Sequence, residues 1–259
     1  MALGILWLVS SAPSQEIRPL TARSVVLSTL LGYHPPELPT RTLQRVGELF
    51  GIPKGTIRVA LVRMLADGEL EAVDGYYRLT DRLVARQKRQ DESVSPRTKA
   101  WRGAWEIEIV TAPPRPQAER VALRRSMGDL RMAELREGVW LRPANLIRDR
   151  HATVLEQCSY FLSRPKTEPI ELAHALWNLE AWAAEARRLT AAIDQGTELV
   201  AGFLLTAEVL HHLLIDPVLP PELLPTDWPG GALRTRYADF SVQYAQRLRD
   251  YATAGDAHH

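Results

Sequence analysis

An α+β protein in three successive parts is predicted from this sequence, on three observations. Between residues 20 and 80, amphipathic segments meet at a glycine and lead into a hairpin turn sequence. Between 96 and 168, runs that alternate apolar and polar residues are interleaved with helical ones. From 169 to 259 the apolar spacing is almost wholly helical. The expected division is an extension over 1–19, a first part over 20–95, a second over 96–168 and a third over 169–259.

In the first part, "ARSVVLSTLLGY" reads as a helix. A second helix follows in "TRTLQRVGELF", with Thr40 or Thr42 able to cap it and Leu43, Val46, Leu49 and Phe50 on its buried side. Gly51 makes a tight turn. Pro53 suits the first turn of a third helix, because its missing N–H would be unpaired there anyway. Ile57, Leu61, Met64 and Leu65 form that helix's apolar stripe, and Lys54, Arg58, Val62 and Arg63 lie off it. Asp67-Gly68 ends it, with glycine available for a left-handed cap. Asp74-Gly75 between "LEAV" and "YYRLT" is a two-residue hairpin signal. Two short helices joined by a glycine turn, with a third helix before and a hairpin after, make a winged helix-turn-helix. Three of the four cations in 51–80 fall between Lys54 and Arg63, where they can meet phosphates and guanine edges.

The stretch after the hairpin, "DRLVARQKRQDESVSPRTKAW", opens as a helix and decays into a polar linker near Pro96. In the second part "AWEIEIVTA" is a strand whose Glu106 and Glu108 share a face expected to meet solvent. "QAERVALRRSM" is a helix with Val121 and Leu123 inward. "MAELREGVWLRP" gives two strands around Glu137-Gly138, "IRDRHATVL" a short helix and "CSYFLSRP" a last strand. That order is the split βαβ of ferredoxin-like domains. The third part holds "PIELAHALWNLEAWAAEARRLTAAIDQG", the apolar helix "ELVAGFLLTAEVLHHLLI" stopped at Asp216-Pro217, a Pro-rich turn region and a final amphipathic helix.

Composition narrows the function. The chain of 259 residues is 46% hydrophobic and 24% charged, which suits a soluble globular protein with more than one core. A single cysteine, Cys158, excludes an internal disulfide and favours a reducing, cytoplasmic setting. The scattered histidines and lone cysteine leave no metal-ligand spacing; adjacent His211 and His212 point to different sides of a helix. No metal, cofactor or catalytic residue is expected. The N-terminal apolar run of about 8 residues lacks a positive flank and is too short to span a bilayer, so no membrane partner is expected. Charge is asymmetric. Residues 1–150 carry 24 Lys and Arg against 17 Asp and Glu, and residues 151–259 carry 8 against 14. A basic half that contains the helix-turn-helix suits an anionic polymer as partner.

The chain resembles the PaaX family of bacterial transcriptional regulators. The likeness is carried by "GIPKGTIRVALVRMLADGELE…YYRLT", by "WRGAWEIEIV…RVALRRSMGDL…REGVWLRP", and by "ALWNLE" with "IDPVLPPELLPTDWPG". Val62 and Leu70 stand where the family pattern would have Ser and Trp. The resemblance implies a homodimeric repressor of a catabolic operon, bound to an inverted-repeat operator and released by an aryl-acyl-CoA or another small effector.

On these readings Lys54, Thr56 and Arg58 would probe the major groove of double-stranded DNA, with Arg63 adding to the cationic face. Arg41 and Thr42 would meet phosphate, and Arg78 would reach from the hairpin to backbone or minor groove. An effector pocket would draw on Arg124, Trp140, Trp177 and Trp182, although aromatics at helical spacing also fill cores. Two other functions compete. One is an adaptor that uses the winged helix for protein contact. The other is a nuclease built on the ferredoxin-like part, which would need carboxylates at the end of its first strand to hold Mg²⁺. That strand runs into "EIVTAPP", with no acid after Glu108.

Overall fold

A computed structural model describes residues 20–254. Its elements are helices and two antiparallel sheets, of three and four strands. They group into two compact units. One is drawn from the segments up to Val94, 189–211 and from Arg234 on, the other from 95–188 and 212–233.

The first unit begins with α1 (Ala22–Leu31), capped by the Thr21 hydroxyl, which accepts from the Ser24 N–H. A short strand β1 (Glu37–Pro39), not anticipated from the sequence, leads into α2 (Thr40–Leu49). Neither Thr40 nor Thr42 caps α2. Its N-cap is Pro39, with no side-chain capping bond. Gly51, at φ 69°, turns the chain into α3 (Lys54–Ala66). Strands β2 (Leu70–Val73) and β3 (Tyr76–Leu79) form the expected hairpin, with Asp74 and Gly75 both at positive φ, as a type I′ turn requires. The sheet order is β1-β3-β2. One core joins these elements: Leu27, Leu30, Leu43, Ile57, Leu61, Met64, Leu70 and Leu79 are all buried in it.

Helix α4 (Asp81–Val94) follows the hairpin and ends two residues before Pro96. It runs for 14 residues, and its buried Gln87 amide donates to the carbonyls of Leu31 and Tyr33, at 2.9 and 2.8 Å. Two later helices enter this unit, α9 (Leu199–Leu214) and α10 (Gly230–Thr253). Phe203, Tyr244, Leu248 and Ala252 close a second core over Val25 and Val46.

In the second unit, β4 (Trp105–Val110), α5 (Gln117–Asp129), β5 (Ala133–Arg136), β6 (Val139–Pro143), α6 (Ala152–Gln157) and β7 (Cys158–Ser163) follow in that order, and the sheet runs β5-β6-β4-β7. One sheet face lies under α5 and α6, where Leu123, Met127, Trp140 and Val154 pack. Val121 is 59% exposed, a correction to its inward assignment; Leu123 and Met127 are the buried pair of α5. On the other face Trp105 and Leu141 pack with Leu172 of α7 (Pro169–Leu176), Leu179 at the start of α8 (Leu179–Asp194), and Leu219 and Leu223. What reads as one helix over 169–195 is thus two, broken at Trp177-Asn178.

A fully buried cation ties the Pro-rich segment to this sheet. Arg142 donates to the Pro143 carbonyl at 3.0 Å, to Asn145 Oδ1 at 2.8 Å and to the Val218 carbonyl at 3.4 Å. Asn145 donates to that same Val218 carbonyl at 3.0 Å, and the Asp216 carboxylate accepts the Val218 N–H at 2.8 Å. Burial pulls the Arg142 guanidinium well below its ordinary pKa. Arg131 donates to the carbonyls of Leu213 and Leu214 at the end of α9, at 3.0 and 2.7 Å, and to that of Asp216 just beyond it at 2.6 Å.

Candidate nucleic-acid interface

Helix α3 is buried on one side only. Ile57, Leu61 and Met64 are inaccessible, while Lys54, Thr56, Arg58 and Arg63 are exposed. The α2–α3 junction is tight. A Cβ added at Gly47 would lie 2.6 Å from Ile57 Cγ1, so glycine is what lets the two helices approach. Arg41 lies exposed and Thr42 half-buried on the first turn of α2. Arg78 is exposed on β3, directly opposite Glu71 of β2. The seven residues expected to meet DNA therefore belong to the first unit, on α2, α3 and β3.

Two of them are held by carboxylates that sequence reasoning missed. Lys54 Nζ lies 3.3 Å from Glu48, which also pairs with Arg45 at 3.4 Å, and Arg78 lies 2.7 Å from Glu71. These pairs are surface-exposed, so a phosphate can compete for the cations at little cost. The hairpin register was the available signal for Glu71. Glu48 could be found only once the turn at Gly51 had folded α3 back toward the end of α2. Arg58 and Arg63 pair with no carboxylate among the described residues. Val59, which the sequence reading passed over, is 51% exposed on the same helix, and Val62 is 63% exposed.

The four residues expected at an effector pocket stand in separate surroundings of the second unit. Arg124 lies on the outer side of α5, 3.2 Å from Glu134. Trp140 packs among Leu123 and Met127. Trp177 stacks on Trp105, with ring centroids 6.5 Å apart. Trp182 is sandwiched between His212 and Trp228 at 4.3 and 4.6 Å. A depression of about 390 Å³ lined by residues 174–180 includes Trp177 and none of the other three.

Glu106 and Glu108 do not face solvent as expected. Glu108 is 1% exposed and paired with Arg150 at 2.7 Å, and Glu106 is paired with Arg148 at 3.3 Å. Burial nonetheless raises the Glu108 pKa. Arg150 also stacks on Tyr160, 4.7 Å from its ring centroid. Both acids of the first strand of this sheet are thus committed to arginines. Among the described residues no three of His, Cys, Asp and Glu gather, and no helix is long and apolar enough to cross a membrane.

Comparison with known proteins covers most of the chain. The PaaX-like protein family model matches residues 21–83, the PaaX protein central Cas2-like domain 98–160, and the PaaX-like protein C-terminal domain 172–254. No curated protein matches the chain. Among solved structures it is similar to the uncharacterized protein Rv0674 from Mycobacterium tuberculosis. The TM-score is 0.74 at 44% identity, over 89% of this chain and 98% of that one. With its three segments matched in order and a solved relative aligned over nearly its full length, the chain belongs to the PaaX family.

Proposed function

We propose that the protein is a DNA-binding transcriptional regulator, a cytoplasmic homodimeric repressor that grips an inverted-repeat operator and lets go when a small effector binds. In this reading α1–α3 with β1–β3 act as a winged helix-turn-helix, α3 is the reading helix and the β2–β3 hairpin is the wing. The β5-β6-β4-β7 order supports a ferredoxin-like fold for the middle part. One observation carries the proposal: the free side of α3 presents Thr56, Arg58 and Arg63 to solvent, with Lys54 at its start and Arg78 on the adjacent hairpin. Cations grouped around one exposed helix suit a polyanion with a groove wide enough for a helix. Two-fold protein symmetry would be matched by two-fold operator symmetry, with half-sites one turn of DNA, about 34 Å, apart.

The effector class, an aryl-acyl-CoA, follows from the family resemblance alone. Phe203, Leu205, Val209 and Leu213 of α9 are buried within the chain, so the apolar content of that helix is not by itself a motive for the dimer. Titration of the full chain against DNA from upstream of its own gene, read by fluorescence anisotropy, tests the proposal. Saturable binding that outcompetes bulk DNA is expected. Its absence would leave the adaptor reading, in which the winged helix contacts protein. Light scattering at micromolar concentration should give twice the 29.1 kDa chain mass.

A further inference from the structure

The outward ridge of α3 is unlike an ordinary solvated helix face. At 3.6 residues per turn, Ile57, Leu61 and Met64 centre the buried side, and Val59 and Val62 lie opposite it, one turn apart. They are 51% and 63% exposed. β-branched residues are weaker helix formers than Ala, Lys or Glu, and at these positions they gain nothing from burial within the chain. Gly55 and Ala66 extend the same line at either end, so the ridge stays low and the backbone can approach a partner closely. The borders are cationic: Arg58 on one flank, Arg63 on the other, neither paired with a carboxylate among the described residues.

A low apolar ridge between two positive borders is complementary to the major groove. Its walls are phosphates, and at A·T pairs its floor presents the C5-methyl group of thymine. Valine has no hydrogen-bonding group, so it cannot select a guanine or an adenine edge. It can discriminate only by burying against a methyl, which cytosine and uracil lack.

We infer that Val59 and Val62, set between Arg58 and Arg63, fix operator preference by packing against thymine methyl groups. This rests on the DNA-binding reading above. It identifies a class of base contact that the cations alone do not supply, and it expects thymines in each half-site.

The test uses the full chain and a duplex from upstream of its own gene, made once with thymine and once with 2′-deoxyuridine throughout. The second duplex keeps every pairing group and lacks only the C5 methyls. The wild-type protein should bind it about tenfold more weakly, the loss expected when a few buried methyl contacts disappear. V59A/V62A should bind the thymine duplex about as weakly as wild type binds the uracil one, and should not distinguish the two. Its melting temperature should match wild type, since both side chains are exposed; V59S/V62S, which likewise leaves no side-chain methyl, repeats the test should the alanine pair misfold. Equal wild-type affinity for both duplexes overturns the inference. So does undiminished discrimination by the variant, which would trace the effect to DNA shape, or a fall in its light-scattering mass, which would make the ridge a contact between copies. Failure of the wild type to bind the thymine duplex at all is a different result, and it brings down the DNA-binding reading itself.

Discussion

Arg58 stands off the Ile57–Leu61–Met64 stripe with its guanidinium in solvent, so removing it opens no cavity. Arg58→Ala should weaken operator binding by about 1–3 kcal/mol and leave the melting temperature within a degree or so of wild type. A variant that melts far below the parent would show Arg58 to be structural. Cys158 tests a different kind of side chain. Burial pushes its thiol up to about 11, chiefly by desolvating the thiolate, with Glu108 adding to the effect. A raised thiol pKa means less thiolate at working pH, and the thiolate is the reactive form. Native protein at pH 8 should therefore react with a disulfide reagent at least tenfold more slowly than the same protein in guanidinium. Equal rates would mean that Cys158 is not shielded as the structure has it.

Gly47 governs how closely α2 and α3 meet. A methyl there would press on the Ile57 side chain at 2.6–2.7 Å, so Gly47→Ala should destabilise by about 1–3 kcal/mol in urea unfolding, despite alanine's better helix propensity. Ile57→Val shortens the opposing side chain, and the double variant should lose less than the sum of the two single losses. Strict additivity would mean that the two positions are not in contact. The β2–β3 hairpin is specified differently. Both turn residues have positive φ, which Asn, Asp and Gly tolerate and bulkier side chains do not, and Asp74-Gly75 sits where the turn type needs it. By contrast, β1 has only three residues, ends in proline and pairs with β3, which no local pattern announces.

Helices α1 and α2 do not stand on their own core alone. Val25 and Val46 are inaccessible because Phe203, Tyr244, Leu248 and Ala252 cover them. A fragment ending at Arg97 loses that cover. It should melt well below the full chain and bind operator DNA more weakly; a fragment as stable as the parent would show the cover to be dispensable. On the proposed reading, the full chain bound to DNA should show a steep salt dependence. With about 8 phosphates neutralised, the log–log slope of affinity against salt should be about −7. A slope near zero would remove Lys54, Arg58, Arg63 and Arg78 from the interface.

Much of this protein is legible in its residue order. Spacing of Leu43 and Val46, and of Ile57, Leu61 and Met64, marks the faces that turn out buried, and the glycine and hairpin signals mark where the chain reverses. These are local matters, decided by helical period and by the few residues that accept positive φ. The exposed cations of α3 follow directly, because what is off the stripe of a one-sided helix faces out. What covers a stripe is not local. Glu106 and Glu108 look solvent-facing from alternation, yet each is paired with an arginine 42 residues on. Val121 fits the helical pattern and stays exposed because no element covers it. Arg142, a charged residue in a strand, lies at the centre of the unit because carbonyls and an amide some three and seventy-odd residues away accept its protons. Partners so distant in sequence meet only when loops close and packing fixes the backbone, and no period in the chain encodes that meeting.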